Sequence, residues 1–186
     1  MTISLPPETS SPPRLQPSGW LRYFSFSVDH KVIGLQYLVC GFVFYLIGGA
    51  LAGAIRTELT SPVSDFMARD VYNQVLTLHG TVMIFLWIVP VVNGAFGNYL
   101  IPFYVGARDM AFPRLNAVAF WLIPPAGLML ITSYFLTGAA QSGWTAYPPL
   151  SITTPATGQI IWILSVLLLG GSCLLYTSDA ADDRMR

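Results

Sequence analysis

The stretch "VYNQVLTLHGTVMIFLWIVPVVNGAFGNYLIPFYVGA", Val71 to Ala107, runs for 37 residues without an Asp, Glu, Lys or Arg. A helix needs roughly 20 predominantly apolar residues to cross a bilayer. The run therefore predicts one long spanning helix over about 71–101, ending near "NYLIP". It carries a single histidine, His79, the ninth residue after Asp70. At 1.5 Å per residue His79 lies roughly 12–14 Å along the helix, inside the hydrocarbon zone. Ionisable side chains at that depth are costly and usually functional.

Two further charge-free runs flank this one. Val32 to Ile55 gives a helix over about 32–55, and Leu115 to Ser178 gives a third run of 64 residues. The latter is interrupted by "TGAAQSGWTAYPPLSITTPATG", whose Gly, Pro and Ser content marks a loop. It divides into helices over about 116–137 and from 158 onward. The fold class predicted is an all-α membrane protein. Only 10% of the 186 residues are charged and 54% are hydrophobic, against about 25% charged in soluble domains. Net charge is zero, which excludes a basic nucleic-acid surface. Cys40 and Cys173 sit in apolar runs with no disulfide or zinc spacing.

Residues 1–21, rich in Pro and Ser and without an apolar core segment, read as a disordered tail and not a secretory signal. With the N-terminus inside, the inner segments hold Arg14, Arg22, Lys31, Arg108 and Arg114, and the outer loops hold only Arg56 and Arg69. That asymmetry predicts a cytoplasmic N-terminus. Trp144 and Tyr147 then fall in the outer loop, where interfacial aromatics belong.

An imidazole in such a helix has three uses. It bonds a neighbouring helix, relays protons, or ligates a metal or haem iron through a neutral nitrogen. Small Gly80 and Thr81 and flat Phe85 and Trp87 surround His79, a composition that fits a haem pocket and ordinary helix packing alike. The neighbouring segments narrow the choice. "VVNGAFGNYLIPFYVGARDMAFPRLNAVAFWLIPP" (91–125), together with "DHKVIGLQYL" (29–38), "AIRTEL" (54–59) and "GWTAYPPL" (143–150), resembles subunit I of the haem–copper terminal oxidases. The nearest likeness is to the cytochrome c oxidases of bacteria, cyanobacteria among them, and it extends over about residues 22–172.

The resemblance implies the first three to four helices of a twelve-helix bundle. It implies that His79, in "TLHGTVMIF", ligates a low-spin haem, of type A or O with A expected, and that the opposite ligand stands on a later helix. Arg56 in "AIRTEL" then bonds a haem substituent. Trp144 donates its indole N–H to a haem propionate, and Glu58 matches a carboxylate that binds Ca²⁺ or Na⁺ in relatives. Asp109 in "GARDMAFPR" resembles the entrance of the D proton pathway, with Asn98 and Asn116 as polar lining. Relatives often carry a second asparagine where this chain has Ala117. No role is given to Asn93, and His30 in "DHK" reads as structural.

The implied chemistry is electron transfer from cytochrome c to a second haem and a copper that reduce O₂ to water, coupled to proton pumping. Subunits II and III are the implied partners, and the location is the bacterial plasma membrane, or the thylakoid membrane in a cyanobacterium. The ligands of the oxygen-reducing centre lie beyond residue 172 in this family, so the 186-residue chain alone is expected to be inactive. Helix 4 runs from 158 to 172 on this reading. "CLLYTSDAADD", from Cys173, looks like the in-frame translation of a transposon-end sequencing adapter, so 173–186 are expected not to be native sequence. A quinol oxidase is the alternative, since the electron-donor site lies on another subunit. "GARDMAFPRLN" argues against nitric oxide reductases, which lack a matching D pathway. A multi-pass transporter without cofactor is the remote alternative. It predicts an internal repeat, and the two halves show none.

Overall fold

The computed structural model describes residues 19–62, 66–153 and 155–183. Among these residues all regular structure is helical. Four helices are long and apolar enough to cross a membrane: α1 (His30–Glu58), α2 (Arg69–Val105), α3 (Pro113–Leu136) and α4 (Ala156–Asp183). Each predicted helix is present and each is longer than expected.

The ends follow from local chemistry. Asp29 caps α1 by accepting the Lys31 amide at 2.9 Å, satisfying one of the donors that a helix start leaves free. Asp70 occupies the first turn of α2, where a carboxylate suits the helix dipole. Gly106 ends α2 with φ +74°, a left-handed terminus that glycine adopts without strain. Pro113 opens α3 in the first turn, where its missing N–H costs nothing.

The interior of α2 is not regular α-helix. Val82–Ile88 and Pro90–Phe96 wind in wider, π-type turns. Pro90 lacks an amide and its ring crowds the preceding turn, so the ladder shifts to longer bonds around it. In α3, Pro124 and Pro125 cause a milder break, at Leu122.

The helices alternate in direction. α1 lies along α2, and α4 packs against α3. Ile33, Tyr37 and Phe44 of α1 join Leu78, Val82 and Leu86 of α2 and Phe120, Ala126 and Leu130 of α3 in one core. Phe44 reaches so far into α3 that its ring lies against the backbone of Gly127.

Two helical boundaries differ from those expected. Gly19–Phe24 forms a 3-10 helix, so part of the predicted disordered tail is ordered. Its anchor is Gln36 of α1, whose side-chain amide donates to the carbonyls of Tyr23 (3.0 Å) and Ser25 (2.9 Å). Residues 1–18 lie outside the described residues. Secondly, α4 continues from Ala156 to Asp183 without a break at 172, because Leu174, Leu175 and Tyr176 extend its helix-compatible apolar run. The loop before it contains a one-turn helix, Leu150–Thr153.

Candidate functional site

α2 carries polar groups on different faces. His79 points to α1 and donates its Nδ1–H to the carbonyl oxygen of Gly48 at 2.9 Å. A carbonyl only accepts, so Nδ1 bears the proton and Nε2 keeps a free lone pair. An imidazole oriented through one nitrogen and basic at the other is what a metal ligand requires. The side chain is half-buried. On α1, Gly49 and Gly53 have nothing within 4 Å of where a Cβ would stand, so a flat group can approach the backbone there.

Trp144 comes to the same region from the loop between α3 and α4. Its ring covers Gly80, where a Cβ would lie 3.0 Å from Trp144 Cδ1. It meets Phe85 edge-on, with centroids 6.1 Å apart. Trp144 thus packs on the residue that follows His79 in α2, while the His79 ring itself is turned to α1.

The placement of Trp144 depends on residues not singled out from the sequence. Gln74, Thr77 and Thr81 lie along the face of α2 turned away from His79. Gln74 Oε1 accepts the Ala139 amide at 2.9 Å, and Thr77 Oγ1 accepts the Gly143 amide at 2.9 Å. Thr81 Oγ1 accepts from the Trp162 indole of α4, also at 2.9 Å. The signal was available as three polar residues at i, i+3 and i+7 of an otherwise apolar helix.

At the other end of the bundle, His30 donates Nδ1–H to Asp109 Oδ1 at 2.9 Å, and the carboxylate also accepts the Met110 amide at 2.8 Å. His30 is nearly buried, while the Asp109 side chain is 42% exposed. Asp29, Lys31 and Arg108 line the same recess. Deeper, roughly 10 Å up α2 from its end, Asn98 meets Asn116 of α3. Both are fully buried. Asn116 donates its side-chain amide to Asn98 Oδ1, and Asn98 donates to the Gly94 carbonyl at 2.6 Å. Ala117 is buried in the apolar core beside this pair.

Arg56 and Glu58 stand apart. Arg56 is exposed in the last turn of α1, a favourable place for a cation at a helix end. It lies eight residues beyond Gly48, about 12 Å along the axis. Glu58 Oε2 accepts the Met67 amide at 3.0 Å and so ties Met67 to the end of α1. Among the described residues no three His, Cys, Asp or Glu gather as a metal site. Asn93 is exposed on α2.

The sequence matches the family described as Cytochrome C and Quinol oxidase polypeptide I over residues 32–180. It is similar to the cytochrome c oxidase subunit 1 of Thermostichus vulcanus, at 62% identity over 156 residues, covering 84% of this chain and 28% of that protein. The protein of the same name in Synechocystis is 58% identical over 175 residues, covering 94% of this chain and 31% of its own length. That of Corynebacterium glutamicum is 43% identical over 166 residues, covering 84% and 28%. The chain spans about three tenths of the length of these relatives.

Proposed function

The chain belongs to the cytochrome c and quinol oxidase polypeptide I family, and on that premise we propose that it is part of subunit I of a proton-pumping terminal oxidase. The whole enzyme passes electrons from cytochrome c to O₂, with subunits II and III as partners. It sits in the bacterial plasma membrane, or in a thylakoid membrane, with the N-terminus on the cytoplasmic side. The family implies a low-spin haem of the A type here, and a second haem and copper held by residues outside this chain.

The observation that supports this reading is the His79–Gly48 bond, which leaves Nε2 as the nitrogen that would hold the haem iron. The haem, when bound, supplies one-electron transfer. The chain's own residues orient and tune it. Gly48 fixes the imidazole plane. Trp144 offers an indole N–H, a donor only, to a propionate. Arg56 places a cation near the outer rim. Glu58 is a candidate cation ligand with one oxygen already engaged by the chain.

Asp109 takes up protons at the inner end, held by His30. Asn98 and Asn116 continue the route between α2 and α3. Their amides touch directly, so proton passage requires the two side chains to part.

The test is His79→Ala in the full-length oxidase. The low-spin haem band in the optical spectrum should vanish while the complex still assembles. A full-strength six-coordinate low-spin signal in that variant would refute the assignment.

A further inference from the structure

Gly48 is buried in α1 and is held by two residues of α2. Its carbonyl oxygen accepts the His79 Nδ1–H at 2.9 Å. The side of Gly48 where a Cβ would stand faces Met83, four residues after His79 and so on the same face of the helix. A Cβ built there would lie 2.5 Å from Met83 Sδ, 3.0 Å from Met83 Cγ and 3.4 Å from Val82 Cγ1. Carbon atoms in contact rest about 3.5–4.0 Å apart, so the thioether already fills the place of a side chain at residue 48. Gly49, the next residue of α1, has nothing within 4 Å of the same point.

The seat is stiff. Turning χ2 of Met83 moves Sδ but leaves Cγ where it is, and χ1 of a long side chain in a helix is confined to two wells. Val82 is fully buried, and a β-branched residue in a helix has one favoured χ1. The bulk of Met83 therefore sets how closely α1 approaches α2 at Gly48, and the same approach sets the length of the His79–Gly48 bond.

We propose that Met83 is a positioning residue for His79. Seated on Gly48, it fixes the distance from the Gly48 carbonyl to His79 Nδ1, and so it tunes the redox potential of the group that His79 ligates. This rests on the reading of His79 as a haem ligand. Met83 acts through Gly48 and needs no contact with the haem. A hydrogen bond given by Nδ1–H makes the imidazole a more basic ligand. A more basic ligand favours the ferric state. Lengthening the bond therefore raises the midpoint potential, and shortening it lowers the potential.

The experiment is a potentiometric titration of the low-spin haem in the assembled full-length oxidase, followed by its reduced absorbance band. It compares wild type, Gly48→Ala, Met83→Ala and the double variant. The methyl of Gly48→Ala meets Met83, presses α1 away and should raise the midpoint potential. Met83→Ala should lower it, because part of the vacated space closes. In the Met83→Ala protein the same methyl enters the space that the thioether has left. Adding Gly48→Ala there should leave the potential at the Met83→Ala value.

A wild-type potential in Gly48→Ala or in Met83→Ala overturns the inference. It leaves the ligand reading intact, because that reading stands on the loss of the low-spin band in His79→Ala. An equal rise on adding Gly48→Ala in both backgrounds overturns the inference too, since the methyl then acts without Met83. A His79→Ala oxidase that keeps its low-spin band removes the haem reading instead. Should Gly48→Ala fail to assemble, the comparison passes to the double variant. Its assembly with the Met83→Ala potential supports the proposal, and failure of both proteins overturns it.

Discussion

Asn98 and Asn116 are fully buried and satisfy each other, and the pair is unforgiving for that reason. Replacing one leaves the other's amide buried without its partner, which costs about 1–3 kcal/mol. Asn116→Leu should therefore lower the thermal midpoint of the detergent-solubilised oxidase, and it should slow proton uptake from the Asp109 side. An unchanged midpoint would mean that water replaces the lost amide. His79 stands out in the sequence because an imidazole in a 37-residue charge-free run has no local explanation. His30 does not. Its partner Asp109 is 79 residues away, and only the antiparallel packing of α1 and α2 brings them together. Thr77 was hidden for a different reason, since a threonine in a helix ordinarily bonds its own backbone. Here it does that and accepts a loop amide as well.

For the elements, the three charge-free runs and one Gly/Pro-rich break predicted the four helices, because bilayer thickness sets a minimum length that composition reveals. What composition cannot reveal is winding. Pro90 could have kinked α2, yet the chain spreads the disturbance over the wide turns of Val82–Ile88 and Pro90–Phe96. The contact of α1 with α3 is equally a matter of packing. Phe44 fits only because Gly127 has no side chain. Gly127→Val should force the ring aside and cost about 1–3 kcal/mol by overpacking. A fall in thermal midpoint checks this, and Gly127→Ala should fall less far. A Gly127→Val protein as stable as the wild type would show that α3 can move away freely.

In the whole molecule, much of α1 faces outward with apolar side chains, among them Val39, Phe42, Val43 and Leu46. In lipid that is no penalty. On the proposed reading, the 186-residue chain expressed alone offers His79 as one ligand to the haem iron, where a low-spin haem needs two. It should therefore give no stable six-coordinate haem spectrum after purification in detergent, and such a spectrum would show that the chain supplies a second ligand itself. The wide turns of α2 bear on this assembly too. They separate His79, aimed at α1, from Asn98, aimed at α3. The compass bearing of one with respect to the other is stored in the number of residues between them. A deletion of one residue from Val82–Phe96 would keep both His79 and Asn98 and leave the helix long enough to span, yet it would swing Asn98 away from its asparagine on α3. Length variation should be forbidden there, even where substitution is tolerated.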